Sequence, residues 1–257
     1  MDSVVGSAAL ETTRTELRRL VAAAGLSGAE VEVLAKPLTP EKAIGTPGRR
    51  DYPIILGKER VIEAVVLGAK GHAFTDSARE LQGTVGEVLS LELDTNVNRA
   101  IFVATANALL RHLGKARGTV HCKDDDPERC AREIAEQVRA THGQVTVGLI
   151  GLNPAIAERL VEVFGPTKVR LTDLDPTTVG TERWGVTIWH GRDRADQLID
   201  EADVVILTGT TLVNGTFEPL RQKLEATGKP YLVFGVTAAG VCAVTGIERV
   251  CPCGRDG

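Results

Sequence analysis

The sequence predicts an α/β protein, with a small α+β unit followed by a mostly parallel sheet. The second half alternates short apolar runs with helical patterns, which is typical of right-handed βαβ crossovers. The first half contains two apolar runs joined by a short connection, which favours antiparallel pairing. Glycine is frequent, at 27 residues, and aromatic residues make up only 4%, which suits tight turns around an aliphatic core.

The first half begins with a predicted amphipathic helix within residues 8–26, which is indicated by the apolar residues Leu10, Leu17, Leu20 and Val21. Three strands are predicted to follow it, over residues 31–35, 52–56 and 61–67. A long apolar helix over residues 96–113 ends at Gly114. We place the domain boundary near residue 93, which gives domains of residues 1–92 and 93–257. The helix suits either the core or a homodimer interface, and its pattern does not separate the two.

Four strands are predicted in the second half, over residues 144–151, 168–174, 202–208 and 231–236. Parallel sheets bind ligands beyond the carboxyl ends of their strands. The residues at those ends are therefore the predicted ligand-binding residues, namely Asn153, Asp173, Asp175, Thr208, Gly209, Thr210, Thr211, Asn214 and Thr237.

The chemistry of these strand ends favours an adenosine-bearing ligand. The first turn lacks Gly-x-Gly-x-x-Gly, so a dinucleotide is disfavoured. Asp173 and Asp175 follow that turn at the distance where a carboxylate typically accepts hydrogen bonds from ribose hydroxyls, an arrangement that suits S-adenosylmethionine (SAM). Alternatively, the two aspartates end a strand and cap the next turn, and the threonine-rich run over residues 208–216 forms only a turn and a helix cap.

Composition and charge exclude other classes of function. The 30 basic and 34 acidic residues are interspersed and give a net charge of −4, which disfavours a nucleic-acid partner. No apolar run has the roughly 18 residues that span a bilayer. The N-terminal sequence has no export-signal pattern and the cysteine count, five, is odd, so we expect a cytoplasmic, reduced protein.

Cysteine and histidine residues offer donors for a soft metal ion. His121, Cys122 and Cys130 lie close in sequence, although their spacing is not that of a zinc finger, and Cys251 and Cys253 form a second group. The sequence Asp126-Pro127 is also typical of a helix start, which gives the first group a structural interpretation. A complete metal site requires the two groups to meet in space.

A series of motifs runs through nearly the whole chain: Gly57-Lys58-Glu59-Arg60, residues 71–76, Asn98-Arg99-Ala100, residues 119–130, 148–154 and 173–176, and residues 208–216 and 248–254. In this order they resemble the motifs of the family named for "putative heavy-metal chelation". The resemblance implies an enolase-N-terminal-like domain joined to a Rossmann-like domain, with a site between them. The family varies near its C-terminus, so Cys251 and Cys253 are not implied as shared ligands.

The resemblance places Lys58, Glu59, His72, Thr75 and Asp76 over the strand ends that carry Asn153 and Asp173. Our first hypothesis is an enzyme acting on SAM without pyridoxal phosphate, as a lyase that forms 1-aminocyclopropane-1-carboxylate (ACC), the reaction of ACC synthase, or as a methyltransferase. No cofactor beyond SAM is then required, although a metal is compatible. Its catalytic candidates are Lys58, Glu59, His72 and Asp76, and Thr75 contacts the ligand; His72 alternatively has a structural role. The second hypothesis is a non-catalytic protein that chelates a metal or a metal-bearing ligand.

Overall fold

The computed structural model describes residues 7–34 and 44–257, which form two sheets connected through one long buried helix. The predicted α/β fold, with its mostly parallel second sheet, is confirmed. The elements of the first part are α1 (Ala8–Ala24), β1 (Glu30–Leu34), β2 (Arg60–Val66), β3 (Ala69–Thr75), β4 (Leu81–Thr84), α2 (Val85–Val88) and α3 (Asn96–His112).

The second part contains more elements, because its strands alternate with helices. They are α4 (Asp126–His142), β5 (Val147–Ile150), α5 (Pro154–Phe164), β6 (Val169–Asp173), β7 (Glu182–Arg183), β8 (Val186–His190), α6 (Gly191–Glu201), β9 (Val204–Thr208), α7 (Thr210–Asn214), α8 (Phe217–Ala226), β10 (Tyr231–Phe234), α9 (Ala239–Thr245) and β11 (Arg249–Val250). None of the helices in the described part of the chain has the length and apolar character needed to cross a bilayer.

The first sheet is antiparallel, with strand order β3-β2-β1-β4. Its β2–β3 hairpin turns at Leu67 and Gly68, whose φ angles of 50° and 82° match the positive φ that a two-residue hairpin turn requires. The strand predicted over residues 31–35 is present as β1, except that Ala35 lies outside the described residues.

The prediction of a strand over residues 52–56 is wrong, because this segment is a turn in which Tyr52 and Ile54 are buried and Leu56 is exposed. The carbonyl oxygen of Tyr52 accepts hydrogen bonds from the backbone N–H groups of Ile55 and Leu56, at 2.9 and 3.1 Å. Tyr52 and Ile54 are buried against the core of the parallel sheet, so their apolar character reflects packing of a turn rather than strand pairing. The turn thereby forms one wall of the space between the two sheets.

The second sheet has the order β11-β10-β9-β5-β6-β8-β7, and only β7 is antiparallel to its neighbour. The chain moves outward from β5 through β6 and β8, then returns to the other side of β5 and continues through β9, β10 and β11. The strand order therefore reverses between β5 and β9. In an open parallel sheet, this reversal opens a crevice at the carboxyl ends of the two strands.

Helix α3 packs against β2 and β3, and its other side contacts α7 and α9 of the second part. One hydrophobic core consequently includes Phe102 and Leu109 of α3, Ile62 of the antiparallel sheet, and Val213 and Val241 of the second part. Residues 99–110 of α3 are all buried within the chain, so this helix has no exposed apolar face for the homodimer interface considered above. The domain boundary near residue 93 remains a prediction. It assigns α3 to the second domain, although this helix packs on the antiparallel sheet of the first.

Close packing of α3 on β3 depends on Gly71. A Cβ at this position would lie 2.3 Å from both the Ala104 carbonyl oxygen and the Ala108 backbone nitrogen. Because both atoms belong to the helix backbone, Gly71→Ala is expected to lower the free energy of unfolding by about 2–3 kcal/mol through overpacking. Urea unfolding of this variant beside Gly28→Ala, whose Cβ would meet no atom within 4 Å, is the measurement. Equal stability of the two variants would contradict this account of the contact.

Candidate functional site

A cleft of about 1160 Å³ lies between the carboxyl ends of the parallel strands and the antiparallel sheet. The strands contribute the residues that follow β5, β6 and β9, and the opposite wall is formed by the 52–59 turn and the end of β3. Every predicted catalytic or ligand-binding residue except His72 lines this cleft. The cleft also receives His121, Cys122 and Cys130, the alternative metal-binding group.

Asp173 is the last residue of β6, and its carboxylate accepts hydrogen bonds from the loop that follows this strand. One carboxylate oxygen accepts the Leu174 backbone N–H at 2.8 Å, and the other accepts the Thr178 hydroxyl at 2.9 Å. Burial raises the pKa of Asp173 above its ordinary value, although these hydrogen bonds oppose the shift. Each oxygen retains a further lone pair that a ligand hydroxyl could use.

Asp175 is neutralised by a lysine from the opposite wall. The Lys58 ammonium lies 2.5 Å from one Asp175 carboxylate oxygen and also donates to the Thr177 hydroxyl. Burial opposes ionisation of Asp175, but the hydrogen bonds from Lys58 and Thr177 outweigh it and lower the pKa of the carboxyl. Lys58 thus connects the two walls, and this pairing leaves it less suited to act as a base than the catalytic prediction requires.

Glu59 is half-buried in the cleft and makes no hydrogen bond or ion pair with another described residue. Burial raises the pKa of its carboxyl to about 7, and the negative charges of Asp173 and Asp76 act in the same direction. Asp76 itself accepts hydrogen bonds from the Asn96 amide at 3.1 and 3.2 Å. The predicted catalytic group therefore includes one carboxyl that exchanges a proton near neutral pH.

His72 lies behind the cleft, with both ring nitrogens occupied. Its Nε2–H donates to Glu63 at 2.9 Å, and its Nδ1 accepts the His121 backbone N–H at 3.2 Å. Lys70 also donates to Glu63 at 2.9 Å, and the His72 hydrogen bond lowers the pKa of Glu63 to about 2 despite burial. With a ring only 3% exposed, His72 has the geometry of the structural alternative and does not reach a ligand in the cleft.

Several polar side chains around the cleft hold its loops in place. The Asn153 side chain caps α5 by accepting the Ile156 N–H at 3.1 Å, and the Thr237 hydroxyl accepts the Phe74 N–H at 3.1 Å. Within the threonine-rich run, the Thr211 hydroxyl donates to the Thr208 carbonyl at 2.7 Å. The turn-and-cap alternative therefore describes much of what these side chains do.

Thr172 is a cleft residue that the sequence analysis missed. Its hydroxyl is buried and has no hydrogen-bond partner among the described residues, although the residue lines the cleft beside Asp173. A buried hydroxyl without a partner is unfavourable by about 1–3 kcal/mol, and a ligand or water in the cleft could satisfy it. The threonine occupies an ordinary position in a strand pattern, so no local motif distinguishes it.

His121 presents one free ring nitrogen to the cleft. Its Nδ1–H donates to the Cys122 carbonyl oxygen at 2.6 Å, which leaves Nε2 as an acceptor without a partner among the described residues. The ring packs edge-on against Phe74, with centroids 5.1 Å apart. Burial lowers the pKa of His121 to about 4, so the imidazole is neutral at physiological pH.

Members of both cysteine groups lie along the same cleft. Val120 pairs with Arg255 through backbone hydrogen bonds of 2.9 and 2.8 Å, which sets the segment after Val120 beside the one that ends at Cys253. Cys122, Cys130 and Cys251 line the cleft, and no disulfide joins the cysteines of the described chain. Within the described residues, however, no group of three or more His, Cys, Asp or Glu side chains is arranged to hold a metal ion.

The structure thus defines a two-sheet α/β protein with a cleft between the ends of its mostly parallel sheet and its antiparallel sheet. Residues 134–245 match the model of the DUF364 family, described as "Putative heavy-metal chelation". The resemblance inferred from the motifs is confirmed over this segment, which runs from α4 to the end of α9. The wall residues Lys58, Glu59, Asp76, Cys122, Cys130 and Cys251 lie outside it.

A solved structure shares this fold. A DUF364-family protein of unknown function from Pyrococcus horikoshii has a TM-score of 0.53 and 13% sequence identity, covering 90% of this chain and 80% of that chain. Another from Desulfitobacterium hafniense DCB-2 has a TM-score of 0.48 and 14% identity, with 73% and 72% covered. No curated protein matches the sequence. At 13% identity, the comparison with the Pyrococcus horikoshii protein establishes the fold alone.

Proposed function

We propose that the protein binds a ribose-bearing, cationic small molecule in the cleft, with SAM as the candidate, and acts on it by proton transfer. The supporting observation is the position of Asp173 at the end of β6, next to the point where the strand order reverses between β5 and β9. A carboxylate at this place in a Rossmann-like sheet typically receives ribose hydroxyls. The unpaired Thr172 hydroxyl beside it offers a further hydrogen bond.

The charge of the cleft favours a cation over an anion. Asp173, Asp76 and Glu59 all face it and make no ion pair with another described residue. Of the cationic side chains in the lining, Lys58 is neutralised by Asp175 and Arg183 by Asp51, which leaves Arg192 as the remaining positive charge against these three carboxyls. The sulfonium and α-ammonium groups of SAM are both positive, so carboxylates near them would contribute favourable Coulomb energy in a partly desolvated site. The absence of a Gly-x-Gly-x-x-Gly turn agrees with a ligand that has no pyrophosphate.

The proposed reaction is an intramolecular cyclisation of the amino-acid part of SAM. Glu59, as carboxylate, removes the α-proton, and the resulting electron pair forms a bond from Cα to Cγ. The Cγ–S bond breaks, and methylthioadenosine leaves as the neutral thioether, so the products are ACC, methylthioadenosine and one proton. The carbanion would need electrostatic stabilisation by groups already oriented in the cleft. Methyl transfer is the variant that needs only positioning of an acceptor.

Titration calorimetry of the metal-stripped protein with SAM tests binding, and chromatography of the mixture tests turnover. Asp173→Asn is expected to weaken SAM binding by about 10–100-fold, because hydrogen bonds to a charged partner contribute about 1.5–3 kcal/mol. Asp200→Asn is the matched control, since that carboxylate is 56% exposed on α6 and lies outside the cleft.

The products distinguish the two reactions. Methylthioadenosine with ACC identifies the cyclisation, and S-adenosylhomocysteine identifies methyl transfer. Equal SAM affinity of the Asp173→Asn and wild-type proteins would remove the ribose role of Asp173, and no binding of SAM at all would end the proposal.

A further inference from the structure

The cleft extends to the face of the parallel sheet that α6 covers. Side chains alternate between the two faces along a strand. Leu171 of β6 packs in the core that contains α4 and α5, so the next residue, Thr172, faces the opposite side, where α6 and α8 pack. We call this part of the cleft the α6 lobe, and its lining consists of Ile150, Thr172, Gly191, Arg192, Ala195 and Leu220.

Thr172 is the buried polar group of the α6 lobe. Its side chain is 0% exposed, and its hydroxyl has no hydrogen-bond partner among the described residues. A hydroxyl buried to this extent is ordinarily hydrogen-bonded. Because Thr172 also lines the cleft, its hydroxyl is positioned to donate to a ligand atom in the lobe.

The N-terminus of α6 opens into the same lobe. This eleven-residue helix begins directly after β8, and the side chain of its N-cap residue, His190, makes no capping hydrogen bond. The backbone N–H groups of Gly191 and Arg192 have no acceptor among the described residues, as is typical of a first helical turn. A Cβ on Gly191 would lie 3.3 Å from the Asp173 carbonyl oxygen, so this turn packs closely on the end of β6. Unpaired N–H groups and the helix dipole together favour an anion here.

Arg192 brings a full positive charge to the α6 lobe. It is exposed, lines the cleft and makes no hydrogen bond or ion pair with another described residue. The other lysine and arginine side chains in the lining are each paired with an aspartate. Asp193, which follows Arg192, pairs with His190 at 2.9 Å, and Asp196, one turn later, makes no ion pair with Arg192. The guanidinium is therefore available to a ligand.

We propose that the α6 lobe is an oxyanion subsite, which binds a carboxylate or phosphate group of a ligand. Arg192 donates paired hydrogen bonds to the oxyanion, the first turn of α6 adds backbone N–H donors, and the Thr172 hydroxyl adds a neutral donor. All three groups donate, so they select an acceptor-only group with negative charge. The carboxyls around Glu59 favour positive charge in the rest of the cleft, so the whole cleft suits a ligand, or a pair of ligands, with separate charges of both signs.

Two sources supply such an oxyanion. One is the α-carboxylate of SAM, and this assignment rests on the proposed function. The other is the acidic group of a second substrate, for which a cleft of about 1160 Å³ has room beside a ligand of the size of SAM. The subsite itself depends on neither, because inorganic phosphate is a sufficient probe of it.

Proton–nitrogen NMR of the full chain, titrated with inorganic phosphate in the absence of SAM, measures binding at the subsite. The backbone N–H signals of Gly191 and Arg192 should shift and saturate. Arg192→Gln is expected to lower the phosphate affinity by about 10–100-fold, since it removes a charged hydrogen-bond partner. Arg194→Gln on the same helix is the matched control, because the Arg194 guanidinium lies 4.2 Å from the centre of the Trp189 ring and outside the cleft.

Thr172→Val removes the hydroxyl and keeps the shape of the side chain. We expect it to lower the phosphate affinity by about 2–10-fold, as for one neutral hydrogen bond. Its melting temperature in phosphate-free buffer should equal or exceed that of the wild type, because the lost hydroxyl has no partner there. Thr105→Val is the control, since this equally buried and unpartnered hydroxyl lies on α3, outside the cleft. A lower melting temperature with unchanged phosphate affinity would make the Thr172 hydroxyl purely structural.

Calorimetry of Arg192→Gln with SAM and with decarboxylated SAM identifies the source of the oxyanion. A loss of affinity for SAM alone assigns the subsite to its α-carboxylate, whereas unchanged affinity for both assigns it to a second substrate. Equal phosphate affinity of Arg192→Gln and the wild type, or no saturable shift of the α6 signals, would overturn the subsite even if SAM binds. Failure of SAM to bind would end the SAM proposal and leave the phosphate result intact.

Discussion

Replacing Asn107 by alanine is expected to lower the free energy of unfolding by about 4 kcal/mol. Asn107 lies on α3 with its side chain fully buried. Its amide N–H groups donate to the carbonyl oxygens of His72 and Val236 at 2.9 and 3.1 Å, and its oxygen accepts the Gly240 N–H at 2.6 Å. Alanine would leave these buried backbone groups without partners, and each such loss is unfavourable by about 1–3 kcal/mol.

The effect of this variant should exceed that of one hydrogen bond because Asn107 joins the two parts of the molecule. His72 belongs to the antiparallel sheet, whereas Val236 and Gly240 follow the last long strand of the parallel sheet. Urea unfolding, followed by fluorescence and circular dichroism, measures the change. Asn98→Ala on the same helix is the control. The Asn98 amide N–H donates to the Glu92 carbonyl oxygen at 2.9 Å and its amide oxygen accepts from the Arg79 guanidinium at 3.5 Å, both in exposed positions, so this variant should cost less than about 1 kcal/mol. A loss below 1 kcal/mol at Asn107 would contradict the connecting role.

Much of the cleft follows from the sequence because parallel strands end at one edge of a sheet. Apolar runs in the second half identified β5, β6, β9 and β10, and the residues directly after them had to meet in space. Asn153, Asp173 and Thr208 are therefore cleft residues for topological reasons alone. The opposite wall, with Glu59 and Asp76, came instead from the family resemblance, since no local pattern relates it to the parallel sheet.

Other features depend on long-range contacts that local patterns do not contain. The apolar segment that begins at Tyr52 has the sequence pattern of a strand. However, the Tyr52 hydroxyl donates to Glu128 at 3.0 Å, and Tyr52 and Ile54 pack in the core of the parallel sheet, so tertiary burial rather than strand pairing explains the pattern. His72 has the sequence context of a catalytic residue, yet Glu63 lies opposite it across the β2–β3 pair and receives its Nε2–H. The presence of Cys122 and Cys251 in one cleft likewise depends on the isolated pairing of Val120 with Arg255.

Glu59→Gln is expected to lower turnover of the proposed SAM reaction by at least about 100-fold, since loss of a general base typically costs 10²–10⁴-fold. Glutamine keeps the size of the side chain but accepts no proton. Affinity for SAM should change much less, because Asp173 rather than Glu59 is the proposed ribose contact. The pH profile of the wild-type protein should rise with a midpoint near pH 7, as Glu59, whose pKa is about 7, becomes a carboxylate.

A stability measurement separates this role from damage to the fold. Folding raises the pKa of Glu59 from its ordinary 4.5 to about 7, so the folded protein holds a proton that the unfolded chain releases. This contribution to stability is fully present below pH 4.5 and is lost as the pH rises through 7. Glutamine does not ionise, so at pH 8 Glu59→Gln should unfold at the same temperature as the wild type or a higher one.

Carboxyl ¹³C NMR provides a readout that needs no substrate. One glutamate resonance should titrate near pH 7 in the wild-type protein and be absent from Glu59→Gln. Burial is the largest cause of the raised pKa, followed by the negative charges of Asp173 and Asp76. A cation that enters the cleft should lower the pKa of Glu59, because its positive charge favours the carboxylate form. SAM should therefore shift this titration to lower pH. An unchanged titration in saturating SAM would place the ligand away from Glu59 and remove it as the base.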